Sequence, residues 1–181
     1  MKLPRNKVLK RTLVIAALVV PIAASAIAQQ SSVKPATTKD KLVGTWQVIS
    51  AKSISGDQAS NLFGEHPGGY IGFTPVRFWV MLVDTARKAP AAAALTDAEA
   101  VSMMKTGAAY TGKYDADRAQ TPDGIKVTIH VDAASNQALT GTDRAFFVRV
   151  DGNKMSFKSP SVVVPMTGST SVVQLEFVNV D

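Results

Sequence analysis

The chain has 181 residues, no cysteine, and 20 Lys and Arg against 14 Asp and Glu, for a formal net charge of +6. Without cysteine it forms no disulfide, offers no thiolate to a metal and carries no lipid on a cysteine thiol. The charge is unevenly placed: Lys2, Arg5, Lys7, Lys10 and Arg11 give residues 1–28 five bases and no acid, so the rest balances at 15 bases against 14 acids, which removes the main support for a nucleic-acid footprint.

In chain order, the first element is a targeting segment. The five bases precede an apolar run from Thr12 to Ile22, and Ala26-Ile27-Ala28 follows as a small-residue cleavage site. The run is short for a membrane span. Residues 1–28 are therefore expected to be a signal peptide. The mature chain is then exported, to the periplasm or the medium, without stable membrane insertion after cleavage. Residues 29–40, rich in Ser, Thr, Pro and Lys, read as a disordered lead-in. Residues 41–181 are long enough for one domain with a substantial core.

Strand patterns dominate that domain. Eight are expected: Leu42 to Lys52, Tyr70 to Thr74, Arg77 to Asp84, Tyr110 to Asp115, Ile125 to Asp132, Asp143 to Val150, Lys154 to Lys158 and Ser171 to Val178. Ile125, Val127, Ile129 and Val131 alternate with Lys126, Thr128, His130 and Asp132, which marks a strand with one wet face. Asp151-Gly152-Asn153 reads as a hairpin turn. Thr96 and Glu99 form a capping box that opens a helix with Val101, Met104 and Ala108 on one face. The strand Arg77 to Asp84 is apolar on both faces, and this helix is expected to cover the outer one. Together these elements predict a mainly β fold, an eight-stranded antiparallel barrel with one short α-helix, because closure removes sheet edges. A sandwich is the runner-up.

Gly44-Thr45-Trp46 stands at the start of the first strand. Gly-x-Trp at that place is the lipocalin signature, in which the Trp closes one end of the barrel. "LVGTWQVISA", "GEHPGGYIGFTP", "YTGKYDAD", "TIHVD" and "RVDGNKMSFKSP" follow in the order seen in the lipocalin-like domain family of bacterial and fungal proteins. The chain resembles that family from about Leu42 to Val178, most specifically over Pro67 to Pro75. The resemblance implies a calycin-type barrel and no particular activity, since most members lack an established one. Two departures stand out. Val76-Arg77 replaces the family's usual Asp-Gly after Thr74-Pro75, and the arginine often found near the position of Phe146 stands two residues earlier, at Arg144.

The motifs point away from metal and cofactor chemistry. Only His66 and His130 are present, so a transition-metal site would need Glu65-His66 and His130-x-Asp132 to meet. Asp115, Asp117 and Asp123 lack the glycine and the bidentate Glu of a calcium loop, since Lys126 stands at the Glu position. Ser102-x-x-Lys105 overlaps Lys105-Thr106-Gly107, and one lysine cannot serve both motifs of a penicillin-recognising enzyme. His130 and Asp132 share a strand face, so a His–Asp pair for general acid–base work is geometrically possible, while Lys126 and Thr128 on the same face mark His130 as a solvent-side residue. No metal and no cofactor is expected.

Strand parity carries the functional expectation. Trp46, Tyr110, Tyr114, Phe146, Val148, Phe157 and Phe177 are expected to face the lumen and contact a ligand, with Arg144 on the same parity as Phe146. Arg144 either lies at the rim in water or clamps an anion, because a guanidinium in an apolar barrel needs a partner. The expected partner is thus a small, mostly apolar molecule, with a carboxylated one as the candidate for Arg144. The alternatives are a barrel isomerase or cyclase acting on a small apolar substrate, and a ligand-free envelope interaction protein. A cavity open to solvent separates the first two from the third. Oligomeric state is not legible.

Overall fold

Alternating burial runs along almost every strand, and it closes the sheet on itself. The computed structural model describes residues 38–164 and 167–181. The expected signal peptide, and the expected lead-in up to residue 37, lie outside them. The last three lead-in residues, Thr38 to Asp40, belong to a five-residue helix, α1 (Thr38–Leu42). It is followed by β1 (Gly44–Ser55), β2 (Gln58–Asn61), β3 (Pro67–Phe73), β4 (Arg77–Asp84), α2 (Asp97–Lys105), β5 (Gly107–Thr121), β6 (Gly124–Ala134), a 3₁₀ turn (Gln137–Leu139), β7 (Asp143–Asp151), β8 (Lys154–Val163) and β9 (Thr170–Asn179). Every pairing is antiparallel. β1 pairs with β3, each later strand with the next, and β9 returns to β1, which gives a closed barrel of eight strands.

β2 is the extra strand, a short hairpin arm on the far end of β1. All four of its residues are exposed. β5 and β6 also run past the barrel wall as a two-stranded arm to the turn at Pro122-Asp123, with an irregular register between Ala116 and Gln120. β8 runs on through Pro160, where its register with β9 breaks between Lys158 and Ser161.

The inward faces meet in one core. Val127, Ile129 and Val131 come from β6, Phe146 and Val148 from β7, Met155 and Phe157 from β8, and Val173, Leu175 and Phe177 from β9. One end is plugged. Trp46 is buried and its indole Nε1 donates to the Leu42 carbonyl of α1 at 2.9 Å. Leu42 is itself buried beneath the barrel. The Tyr114 hydroxyl donates to the Thr74 carbonyl at 2.9 Å. Lys39 of α1 donates to the Tyr114 carbonyl at 2.9 Å, with its ammonium 4.7 Å from the Tyr114 ring centroid. Gly-x-Trp thus starts the barrel and ties α1 across its floor. Burial raises the Tyr114 pKa, and the Asp40 charge adds to that.

The corner without Asp-Gly is built on a threonine. Thr74 Oγ1 accepts from the Arg77 N–H at 2.9 Å and the Val76 N–H at 3.4 Å, while Thr74 N–H donates to the Arg77 carbonyl at 2.8 Å. This hydroxyl-capped turn does the work of the missing pair. The hairpin at Asp151-Gly152-Asn153 forms as expected, with Gly152 at a φ of 57°.

The helix is a correction. The capping box is present: Thr96 accepts from the Glu99 N–H, and Glu99 accepts from the Thr96 N–H at 2.9 Å. Yet α2 buries none of its residues and does not cover the outer face of β4. Trp79 and Met81 remain 39% and 54% exposed. Trp79 instead lies against Gly72 of β3, where any larger residue would overlap its indole. The helix ends at Lys105, so Ala108 belongs to β5.

Candidate ligand-binding site

The end of the barrel opposite Trp46 is hollow. A cavity of about 360 Å³ lies between the plugged half and the loops above it. That volume is near the lower end of ligand pockets. Its walls come from inward positions of the strands: Ile71, Phe78, Val80, Leu82, Ala108, Phe146, Phe157, Val173 and Leu175. The connections between strands complete the mouth. Leu62 and Phe63 precede β3, Met104 and Lys105 end α2, Ser135, Asn136 and Leu139 precede β7, and Val164 follows β8.

The eight expected ligand contacts divide by depth. Tyr110, Arg144, Phe146 and Phe157 line the cavity. Trp46, Tyr114, Val148 and Phe177 also point inward but sit in the packed half below it, all four buried. A ladder of aromatic rings joins the two halves. Tyr110 packs on Phe78 with centroids 5.5 Å apart, Phe78 on Phe73 at 5.2 Å, and Phe73 on Tyr114 at 5.0 Å. Phe157 bridges Phe146 at 5.4 Å and Phe177 at 5.6 Å. The cavity floor is therefore a surface of packed aromatic rings.

The lining is apolar except at a few places, and its polar groups are cationic or neutral. Arg144 and Lys105 are its two cations, and the described lining holds no carboxylate and no imidazole. Arg144 is half-buried, and its guanidinium makes no hydrogen bond or ion pair with any described residue. The Tyr110 hydroxyl makes no hydrogen bond among them either. Burial pushes the Tyr110 pKa up to about 12, with the nearby Arg144 charge opposing the shift, so the phenol stays protonated at neutral pH. Ser135 Oγ accepts from the Ala109 N–H at 3.2 Å and Asn136 Oδ1 from the Ala138 N–H at 3.1 Å, so both already serve the loop.

The His130–Asp132 pair that strand parity allows does not form, and His130 is a solvent-side residue as its neighbours on the strand imply. Both residues lie on the outer face of β6, away from the cavity. Asp132 takes a two-oxygen contact from Arg77, at 2.7 and 2.9 Å. His130 instead joins three strands, with Nδ1 2.8 Å from Asp143 of β7 and Nε2 3.1 Å from Asp115 of β5. The Lys39 ammonium of α1 reaches Asp115 at 3.6 Å. Because the two ring nitrogens point in opposite directions, the carboxylates do not converge on one point. Among the described residues no group of three or more His, Cys, Asp or Glu side chains is placed to hold a metal ion.

This cluster has a pH signature. The hydrogen bonds to Asp143 and Asp115 raise the His130 pKa above 6.5. The His130 bond likewise lowers the Asp115 pKa below 3.8. A raised histidine value means that the folded state binds the proton more tightly than the unfolded state. The stabilisation is then complete below pH 6.5 and lost as pH rises through the folded value. Thermal unfolding from pH 6 upward should show a falling midpoint across that window. His130→Gln should flatten the fall, and an equally steep fall in that variant would assign it to other groups.

A closed meander of eight strands, with a tryptophan plug at one end and an apolar cavity at the other, defines a lipocalin-type barrel. The lipocalin-like domain family matches residues 43–178, and the chain belongs to that family. No curated protein and no solved structure matches the chain.

Proposed function

We propose that the protein is exported and binds a small, mostly apolar molecule in the barrel lumen, carboxylated molecules included. The observation that carries this reading is the cavity itself. Core packing fills the lower half of the barrel and leaves the space above it open. An apolar space of this size, with few polar groups, is what a small apolar ligand requires. Export rests on the basic start, short apolar run and Ala-x-Ala site of residues 1–28. Outward positions of the barrel carry Lys113, Lys126, Asp132, Arg149, Lys158 and Glu176, a surface suited to water rather than lipid. No helix among the described residues is long and apolar enough to cross a membrane.

The Tyr110 hydroxyl in the cavity is the one feature that favours a barrel isomerase or cyclase. A neutral phenol can polarise a carbonyl, but proton abstraction needs a base, and the described lining offers neither a carboxylate nor an imidazole. Binding is therefore the better-supported activity.

Mass spectrometry of the exported protein tests the proposal. The denatured chain should begin at Gln29, and the native ion should carry an additional small mass. The neutral fluorescent probe N-phenyl-naphthylamine should bind saturably at one site. Ala108→Phe, which puts a ring into the cavity without removing core, should weaken the probe by about tenfold, a loss of about 1.4 kcal/mol. Its unfolding midpoint should be unchanged. Probe binding indifferent to Ala108→Phe would place the apolar site elsewhere and end the lumen reading.

A further inference from the structure

We propose that the ligand is an apolar monocarboxylic acid whose carboxylate is held by the Arg144 guanidinium with the Tyr110 hydroxyl as a second donor, and whose tail lies on Phe78, Phe146 and Phe157. This rests on the lumen reading above and goes further by assigning head group and orientation. The argument starts from an unmet requirement. A half-buried guanidinium beside aromatic rings has lost part of its hydration, and such a group is ordinarily paired. Arg144 has no partner among the described residues, although carboxylates are close in sequence. The side chain of Asp143, its immediate neighbour, is on the outer face and bonded to His130. The strand alternation that turns Asp143 out turns Arg144 in.

The second donor has the same status. The Tyr110 hydroxyl lines the cavity without a hydrogen bond, and at neutral pH it is a donor. Arginine and a phenol facing one apolar space offer N–H and O–H groups and no competing acceptor of negative charge. Lys105 at the end of α2 adds a positive charge at the mouth, where it is exposed and hydrated. It attracts an anion without having to be desolvated.

Charge number narrows the class. One partly buried cation neutralises one negative charge. A phosphate monoester brings nearly two, and the second would be carried into a half-buried site with only an exposed lysine to meet it. A cationic amphiphile would meet Arg144 directly and is repelled. A neutral alcohol of the same length keeps the tail contacts and forfeits the charge-assisted bonds.

Isothermal titration of the exported protein with decanoate, decanol, decyl phosphate and decyltrimethylammonium tests each step. Decanoate should bind most tightly, about 10- to 100-fold better than decanol, the range of charge-assisted hydrogen bonds. Decyl phosphate should be weaker than decanoate, and decyltrimethylammonium weaker than decanol. Arg144→Gln should erase the advantage of decanoate and leave decanol within about twofold, which also shows that the variant is folded. Tyr110→Phe should remove a smaller part of the same advantage. If decanol binds and decanoate binds no better, or if Arg144→Gln weakens both equally, the lumen reading stands and the acid assignment is overturned. Tightest binding by decyl phosphate would overturn the monocarboxylate in favour of a dianion. If none of the probes binds, both readings fall together.

Discussion

Trp46→Ala should cost about 3–5 kcal/mol of stability, the range for deleting a large buried aromatic. Three observations set the value high in that range. Trp46 is only 3% exposed, so almost all of its contact area is lost. Its indole N–H holds the Leu42 carbonyl, so truncation also removes a buried hydrogen bond. And Leu42 with Lys39 still fastens α1 across the floor, so the space left behind is roofed over and held open rather than collapsing. A domain of this size has about 5–15 kcal/mol in all, so the variant sits near the edge of folding. Urea unfolding of wild type and variant gives the difference directly. Trp46→Phe should fall between them, because it keeps most of the ring contact and loses the donor. A loss below about 1 kcal/mol for Trp46→Ala would mean that the Gly-x-Trp plug does not close this barrel.

The same tryptophan shows what a sequence can carry. Inward parity was legible wherever a strand is half-buried. Val127 and Ile129, Phe146 and Val148, Met155 and Phe157, and Leu175 and Phe177 all face in, because period-two alternation is the direct imprint of a wet face and a dry one. β2 and the far arm of β5 left no such imprint. Every residue of β2 is exposed, as are most residues from Asp117 to Gln120, so no apolar period marks them. Depth along the barrel was not legible at all. Tyr110 and Tyr114 have the same parity four residues apart, yet one lines the cavity and the other fills the plug. Only the tilt and register of the closed sheet separate them. The loop residues at the mouth, such as Phe63, Leu139 and Val164, have no periodicity, and their role follows from where the loops land. The helix failed as a cover for a related reason. Apolar residues on both faces of β4 imply a cover only if nothing in the sheet receives them, and Gly72 receives Trp79.

Gly69→Ala should be the most damaging single methyl in the barrel. Gly69 stands inside β3 with a φ of 121°, in the motif Pro67-Gly68-Gly69-Tyr70. Two costs add there. A side chain at that φ strains the backbone by about 1–3 kcal/mol. The new Cβ would also overlap the Met81 carbonyl oxygen of β4, a backbone atom fixed by the ladder rather than a side chain that can swing away. Overpacking of this kind costs about 1–3 kcal/mol more, for a total of about 2–6 kcal/mol. Gly152→Ala separates the two contributions. Gly152 also has a positive φ, 57°, but nothing lies within 4 Å of a Cβ placed on it. That variant should lose about 1–2 kcal/mol, the backbone part alone. The excess at Gly69 then measures how closely β3 and β4 approach, and it should appear as a lower urea midpoint together with altered apolar-probe binding, because Ile71 and Val80 of the same strand pair line the cavity. Equal losses at the two glycines would show that β3 shifts to make room, and that this side of the barrel is softer than its register implies.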